Sequence, residues 1–242
     1  MKNFFHLGAV VPLLLFALDA PAETVRTVVP RATLNYLSIP VAEVKGFFRD
    51  QGLENETVVI PGATARDITR IAIPSRNTTS TIPSLKTGAF SAAVVNADES
   101  LLGEKEGLRT LAFVGDLFPF PFQGFMATDK MIAERPGEIK KWLRAMARAL
   151  MFIRERPEES ADIALKKLPM GNMSRPLVVE GIRRFARALP DGVPGLPSAQ
   201  GIKNLIEFDV KAPLKLKEDV PVEKVMHLRL IREVKEELEA RR

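Results

Sequence analysis

The stretch between Thr24 and Ile60 constrains this chain most. Thr24-Val25-Arg26-Thr27-Val28-Val29-Pro30 is rich in β-branched residues and reads as a strand. After a loop from Arg31 to Leu37, Ser38-Ile39-Pro40 offers a helix start, with a capping hydroxyl and an early proline. Val41, Val44, Phe47 and Phe48 then form an apolar stripe until Gly52 stops the helix, and Glu56 to Ile60 is a second short strand. Strand, helix and strand at this spacing make a βαβ unit, with parallel strands and a right-handed connection.

The rhythm continues downstream. Thr69 to Ile73 reads as a strand, Thr79 to Thr87 as a helix closed by Gly88, and Phe90 to Val95 as a strand. Asp98 to Glu106 reads as a helix, and Leu108 to Val114 as another strand. A loop dense in Phe and Pro runs from Gly115 to Gln123, and Gly124 to Thr128 looks extended. Such alternation argues an α/β class. From Asp129 the character turns helical. Pro136 opens a long helix with Ile139, Trp142, Leu143, Met146, Leu150 and Ile153 on one stripe. Pro157 starts a second, and Ser174-Arg175-Pro176 a third carrying Val178, Ile182, Phe185 and Leu189. Ser198 caps a fourth, and Pro221 to Arg242 makes the last. The expected architecture is an α/β sheet followed by helices that cover it.

The first residues carry a different message. Met1-Lys2 precedes an apolar run from Phe4 to Leu18, interrupted by His6 and Pro12, and Ala20-Pro21-Ala22 follows. That is the build of a secretory signal, a positive end, a short apolar core and small residues for a peptidase, so cleavage is expected after Ala22. Export places the mature chain, 23–242, in the periplasm. Cysteine is absent, so no disulfide can form and stability rests on packing. The net charge is +5, and removal of Lys2 with Asp19 leaves it unchanged. A basic exported protein favours anionic ligands. Basic residues alternate with acidic ones on the helices, without interleaved aromatic platforms, which argues against nucleic acid.

Catalytic constellations are poor. Past Ala22 the only histidine is His227, expected on the last helix, and no nucleophile-elbow, Walker or dinucleotide glycine pattern is present. The expectation is a protein that is not an enzyme and takes neither cofactor nor metal. In open α/β sheets a ligand sits outside the carboxyl ends of strands, where helix N-termini favour negative charge. The turn after the first strand therefore makes Asn35, Tyr36 and Ser38 candidate ligand contacts. Equally, Ser38 is a helix cap and Tyr36 packs beside Phe47. A second cluster is Asn96 with Asp98, where Asp98 alternatively caps the next helix. Phe122 and Gln123 form a third, since aromatic and amide groups on a loop suit an organic ligand and prolines there also suit a rigid turn.

The run Asn35-Tyr36-Leu37-Ser38-Ile39-Pro40-Val41-Ala42-Glu43-Val44-Lys45-Gly46-Phe47-Phe48, continuing to Gly52-Leu53-Glu54, resembles the opening of ABC-transporter substrate-binding proteins of the nitrate, sulfonate, taurine and thiamine-precursor type. Ser84 to Val95 is similar to that family's helix-Gly-strand element, Gly107 to Asp116 to the segment after it, and Glu134 to Glu159 to its helix pair with Pro-Glu starts. Ser91 stands where the family usually has Asp, and the helix-Gly-strand element occurs once rather than twice, as though a large middle section were missing. The resemblance implies a type II periplasmic-binding-protein fold in curtailed form, with lobe I about 23–62 plus 97–242 and a reduced lobe II about 63–96. It implies a monomer that takes a small organic or anionic solute and delivers it to a membrane ABC permease. A shortened adaptor of the same fold is the alternative. Less favoured is an enzyme resembling the thiamine-pyrimidine synthases, which depend on a histidine near the cofactor and a cysteine-containing motif.

Overall fold

The computed structural model describes residues 22–29, 32–59, 78–89, 91–113, 117–121, 123–171 and 173–241. The expected signal segment before Ala22, the strand Thr69 to Ile73 and Phe122 lie outside them.

The βαβ unit forms. β1 (Glu23–Val29) and β2 (Leu53–Val59) pair in parallel, with Glu23 opposite Leu53 and Val29 opposite Val59. Thr27 and Val29 point into the core while Val28 faces outward, the alternation a half-buried strand imposes. β2 begins at Leu53 rather than Glu56, because Leu53 is fully buried and its N–H donates to the Phe48 carbonyl at 3.0 Å.

α1 (Ser38–Val44) connects the strands and is entered through one 3₁₀ turn, Leu34–Tyr36. It ends at Val44 instead of running to Gly52. The Phe47 N–H donates to Ala42 O at 2.8 Å and the Gly46 N–H to Glu43 O at 3.2 Å, the paired bonds of a Schellman motif. Gly46 provides the left-handed residue this requires, with φ +73. A second 3₁₀ turn, Arg49–Gln51, then leads through Gly52, φ +66, into β2. The Lys-Gly-Phe-Phe segment is thus a helix terminator and not a helix interior.

Further helices follow among the described residues: α2 (Thr78–Lys86), α3 (Ala97–Lys105), α4 (Asp129–Glu134), α5 (Pro136–Glu155), α6 (Pro157–Lys167), α7 (Arg175–Arg187), α8 (Ala199–Leu205) and α9 (Arg229–Glu239), with a π-helical turn, Ile206–Lys211, and a short helical turn, Ala212–Leu214, after α8. Prolines open α5 and α6, where the missing N–H has no helical partner to lose. The Ser198 hydroxyl accepts from Gly201 N at 3.0 Å, so Ser198 caps α8 as expected. α5 is the spine. Its Trp142, Ala145, Met146, Ala149 and Ile153 are buried against Phe48, Leu37 and Val41, with Ile163 and Ala164 of α6 and Val178 and Ile182 of α7 completing one core. Alanines on that face let α1 approach closely. The Trp142 indole donates to the Thr27 hydroxyl at 3.2 Å, fastening α5 to β1.

Two expected strands, Phe90 to Val95 and Leu108 to Val114, are not strands over their described residues, and the stretch Gly124 to Thr128, expected to be extended, joins no sheet. Residues 91–95, 108–113 and 124–128 carry no ladder, and among the described residues the sheet has two strands. Val94, Leu111 and Met126 are 92%, 85% and 96% exposed. Strand preference is a preference for a pleated surface with neighbours, and here no neighbour is present. The last helix also starts later, at Arg229, not Pro221. Val222, Val225 and Met226 are only half-buried, too little burial to hold that stretch helical beyond the 3₁₀ turn Val222–Lys224. His227 consequently lies outside the helix and is exposed. The class is mixed α/β, mostly helical, with a small parallel sheet.

Candidate functional site

β1 runs into the segment that carries the first candidate cluster. Leu34 is buried, Asn35 and Tyr36 are half-buried, and Tyr36 and Phe47 both pack against the core. The 3₁₀ turn continues straight into α1, so the Tyr36 and Leu37 amides are consumed by Thr33 O and Leu34 O at 3.0 and 3.1 Å. Leu37, not Ser38, occupies the N-cap, and no side chain caps the helix. Ser38 is the first helical residue, 5% exposed. The capping role expected for its hydroxyl is therefore corrected: the preceding turn meets the need that a cap would otherwise serve.

Asn96 comes to this turn from a distant part of the chain. The Asn35 Nδ2 amide donates to Asn96 Oδ1 at 3.4 Å. Asn96 is the N-cap of α3 in a capping box, its N–H donating to Glu99 Oε2 at 3.0 Å. Asp98 is the second residue of α3, so the capping role expected of it belongs instead to Asn96. Two candidate clusters are thus brought together, the first through Asn35 and the second through Asn96.

A clamp holds α3 in place. Arg184 of α7 donates to Glu104 Oε2 at 2.9 Å, to Glu104 Oε1 at 3.0 Å and to the Ser100 hydroxyl at 3.2 Å, while Thr110 donates to Glu104 at 2.5 Å. The Arg184 guanidinium, with the Thr110 hydroxyl second, holds the Glu104 carboxyl below its ordinary value. Sequence reasoning missed this pair. Its only local trace was Arg184 one helical turn after Glu180, to which Arg184 also bonds at 3.4 Å.

The third cluster goes elsewhere. Gln123 is exposed, and among the described residues no hydrogen bond joins it to the other candidates. The neighbouring aromatic loop docks on α8 and the π-helical turn Ile206–Lys211: Asn204 Nδ2 donates to Pro119 O at 2.8 Å, and Phe118 meets Phe208 edge-on at 5.3 Å. Two surface hollows, of about 440 Å³ beside Lys211 and Lys215 and about 280 Å³ beside Val44 and Ile163, lie away from Asn35 and Asn96.

The site is a hydrogen-bonding surface in which the Asn35 and Asn96 carboxamides meet, with the Glu99 carboxylate already engaged by the Asn96 N–H. It can present donors and acceptors to a small polar molecule and offers no nucleophile activated by a base. Among the described residues no group of three or more His, Asp or Glu side chains could hold a metal ion, and no helix is long and apolar enough to cross a membrane. No protein-family model matches the sequence, and no curated protein is significantly similar to it.

Proposed function

We propose that the chain is the extracytoplasmic solute-binding component of an ABC importer, a curtailed member of the type II periplasmic-binding-protein fold. It captures a small organic or anionic solute of the sulfonate, taurine, nitrate or thiamine-precursor class and passes it to a membrane permease. The observation that carries the reading is the meeting of Asn35 and Asn96 at the turn beyond β1, where open α/β sheets take their ligands. The parallel βαβ unit closed by Lys45-Gly46-Phe47-Phe48 supports it, since the resemblance rests most heavily on those residues. An amide pair at 3.4 Å is long, so a solute oxygen can take the Asn35 N–H with little loss. Calorimetric titration of the mature chain with each solute class, repeated with Asn35→Ala, tests this. The variant should bind the identified solute at least tenfold more weakly, and equal affinities would remove Asn35 from the site.

One observation favours the second reading, a shortened adaptor of the same fold. Val94, Leu111, Leu117 and Met126 are exposed apolar side chains on the segments between α2 and α4, each available to a protein partner. Solute titrations showing no heat, together with a partner retained by wild type and lost on Leu111→Asp, would favour it.

A further inference from the structure

We propose that cleavage after Ala22 creates a structural amino terminus, in which the new Glu23 ammonium docks on the Gly52 carbonyl and balances a neighbouring pair of carboxylates. The inference rests on the export reading and extends it to what processing does for the fold.

Glu23 is the first residue of β1, and its main-chain N–H donates to Gly52 O at 2.9 Å, the first rung between the strands. Ala22 is exposed and precedes the strand. The peptidase site expected from the small residues therefore coincides with the edge of the described ladder. Among the described residues the ladder begins at Glu23, so the expected cut falls just outside it. An ammonium keeps the N–H that meets Gly52 and gains two more, with a full positive charge in place of a neutral amide.

That charge has a destination. Arg135 Nη2 donates to Glu23 Oε1 and Arg135 Nε to Glu138 Oε1, so one guanidinium serves two carboxylates. The Glu23 and Glu138 side chains are 29% and 17% exposed, partly shielded from water. With one cation for two anions the cluster is short of one positive charge. Burial, and then the Glu23 carboxylate beside it, push the Glu138 carboxyl above its ordinary value. The ammonium sits on the same residue as one of the two carboxylates, within one side chain's reach of the imbalance, and brings the cluster to neutrality.

The test compares three forms of the mature chain: one beginning with a free Glu23 amine, one with Nα-acetylated Glu23, and one with a Gly-Ser extension ahead of it. The free amine should melt roughly 1–4 °C higher than either blocked form. The gap should close when Glu138→Gln is introduced into all three. Equal melting of the three forms, or a gap untouched by Glu138→Gln, would overturn the docking. Intact-mass measurement of exported protein addresses the reading beneath it separately: a mature start at Glu23 supports the processing step, and any other start overturns it whatever the melting gap.

Discussion

The Asn35 side chain donates to the Asn96 side-chain oxygen at 3.4 Å, joining two turns that lie 61 residues apart in the chain. A bond this long between half-exposed amides adds little stability. Its meaning is positional, because it brings the 3₁₀ turn Leu34–Tyr36 to the N-terminus of α3. Asn35→Ala should change stability by less than about 0.5 kcal/mol. Asn96→Ala also removes an N-cap and should cost about 1 kcal/mol. Denaturant melts read both, and the reverse order would mean that the amide pair, not the cap, is the stabilising contact.

Gly46 and Gly52 test the passage from α1 to β2. Gly52 has φ +66 and no heavy atom within 4 Å of a built Cβ, so Gly52→Ala isolates the backbone cost, about 1 kcal/mol. At Gly46 a Cβ would also come within 3.0 Å of Arg49 Nη2, the end of a flexible side chain that can move away. Both substitutions should lower the melting midpoint by roughly 2–4 °C. Asn at position 52 should be tolerated better than Ala, since Asn visits the left-handed region more readily.

Trp142 and Thr27 fasten α5 to the sheet. Thr27→Val preserves shape but leaves the buried indole N–H without its acceptor and takes from Asn55 Oδ1 the hydroxyl that donates to it at 2.6 Å, and should destabilise by about 1–3 kcal/mol. Trp142→Phe in the same background should then cost less than it does alone, because it removes a donor that has already lost its acceptor. Additive effects in this double-mutant cycle would show that the bond contributes nothing.

Much of the fold was legible because it is set by local signals. β1, the βαβ connection, the proline-opened α5 and α6 and the Ser198 cap each follow from residues adjacent in sequence. The strands expected from Phe90 to Val95 and from Leu108 to Val114 did not form over their described residues, since β-branched and aromatic composition states a preference for a neighbour without providing one. The stop at Gly46 was visible as a glycine, but the apolar pair Phe47-Phe48 continued the helical stripe and hid it. Of the candidate site, Asn35 and Asn96 were each legible as turn residues at element ends. Their contact was not, because it depends on how α3 packs against α7 through Arg184 and Glu104, and no window of sequence contains that packing.

The same clamp predicts a pH dependence. Arg184, then Thr110, lowers the Glu104 carboxyl from its ordinary value of 4.5, and Lys140 does the same for Glu233 and Glu237 of α9. A carboxylate whose folded value is depressed stabilises the fold above its unfolded value and loses that contribution as pH falls through the folded one. Melting midpoints should therefore hold steady from neutral pH down to about pH 5 and fall below about pH 4.5. Arg184→Met should lower the plateau and flatten the acid limb. An unchanged acid limb would place the sensitive carboxylates elsewhere.

The most direct test of solute binding is a thermal-shift screen of the mature chain, residues 23–242, against alkylsulfonates, taurine, nitrate, bicarbonate, aromatic carboxylates and pyrimidine precursors. A ligand at one hundred times its dissociation constant adds about 2.7 kcal/mol, which for a chain of this size raises the midpoint by roughly 5–10 °C. The account predicts such a rise with one class of solute, and its reduction in Asn35→Ala. A single cooperative melt that none of these compounds moves would contradict it.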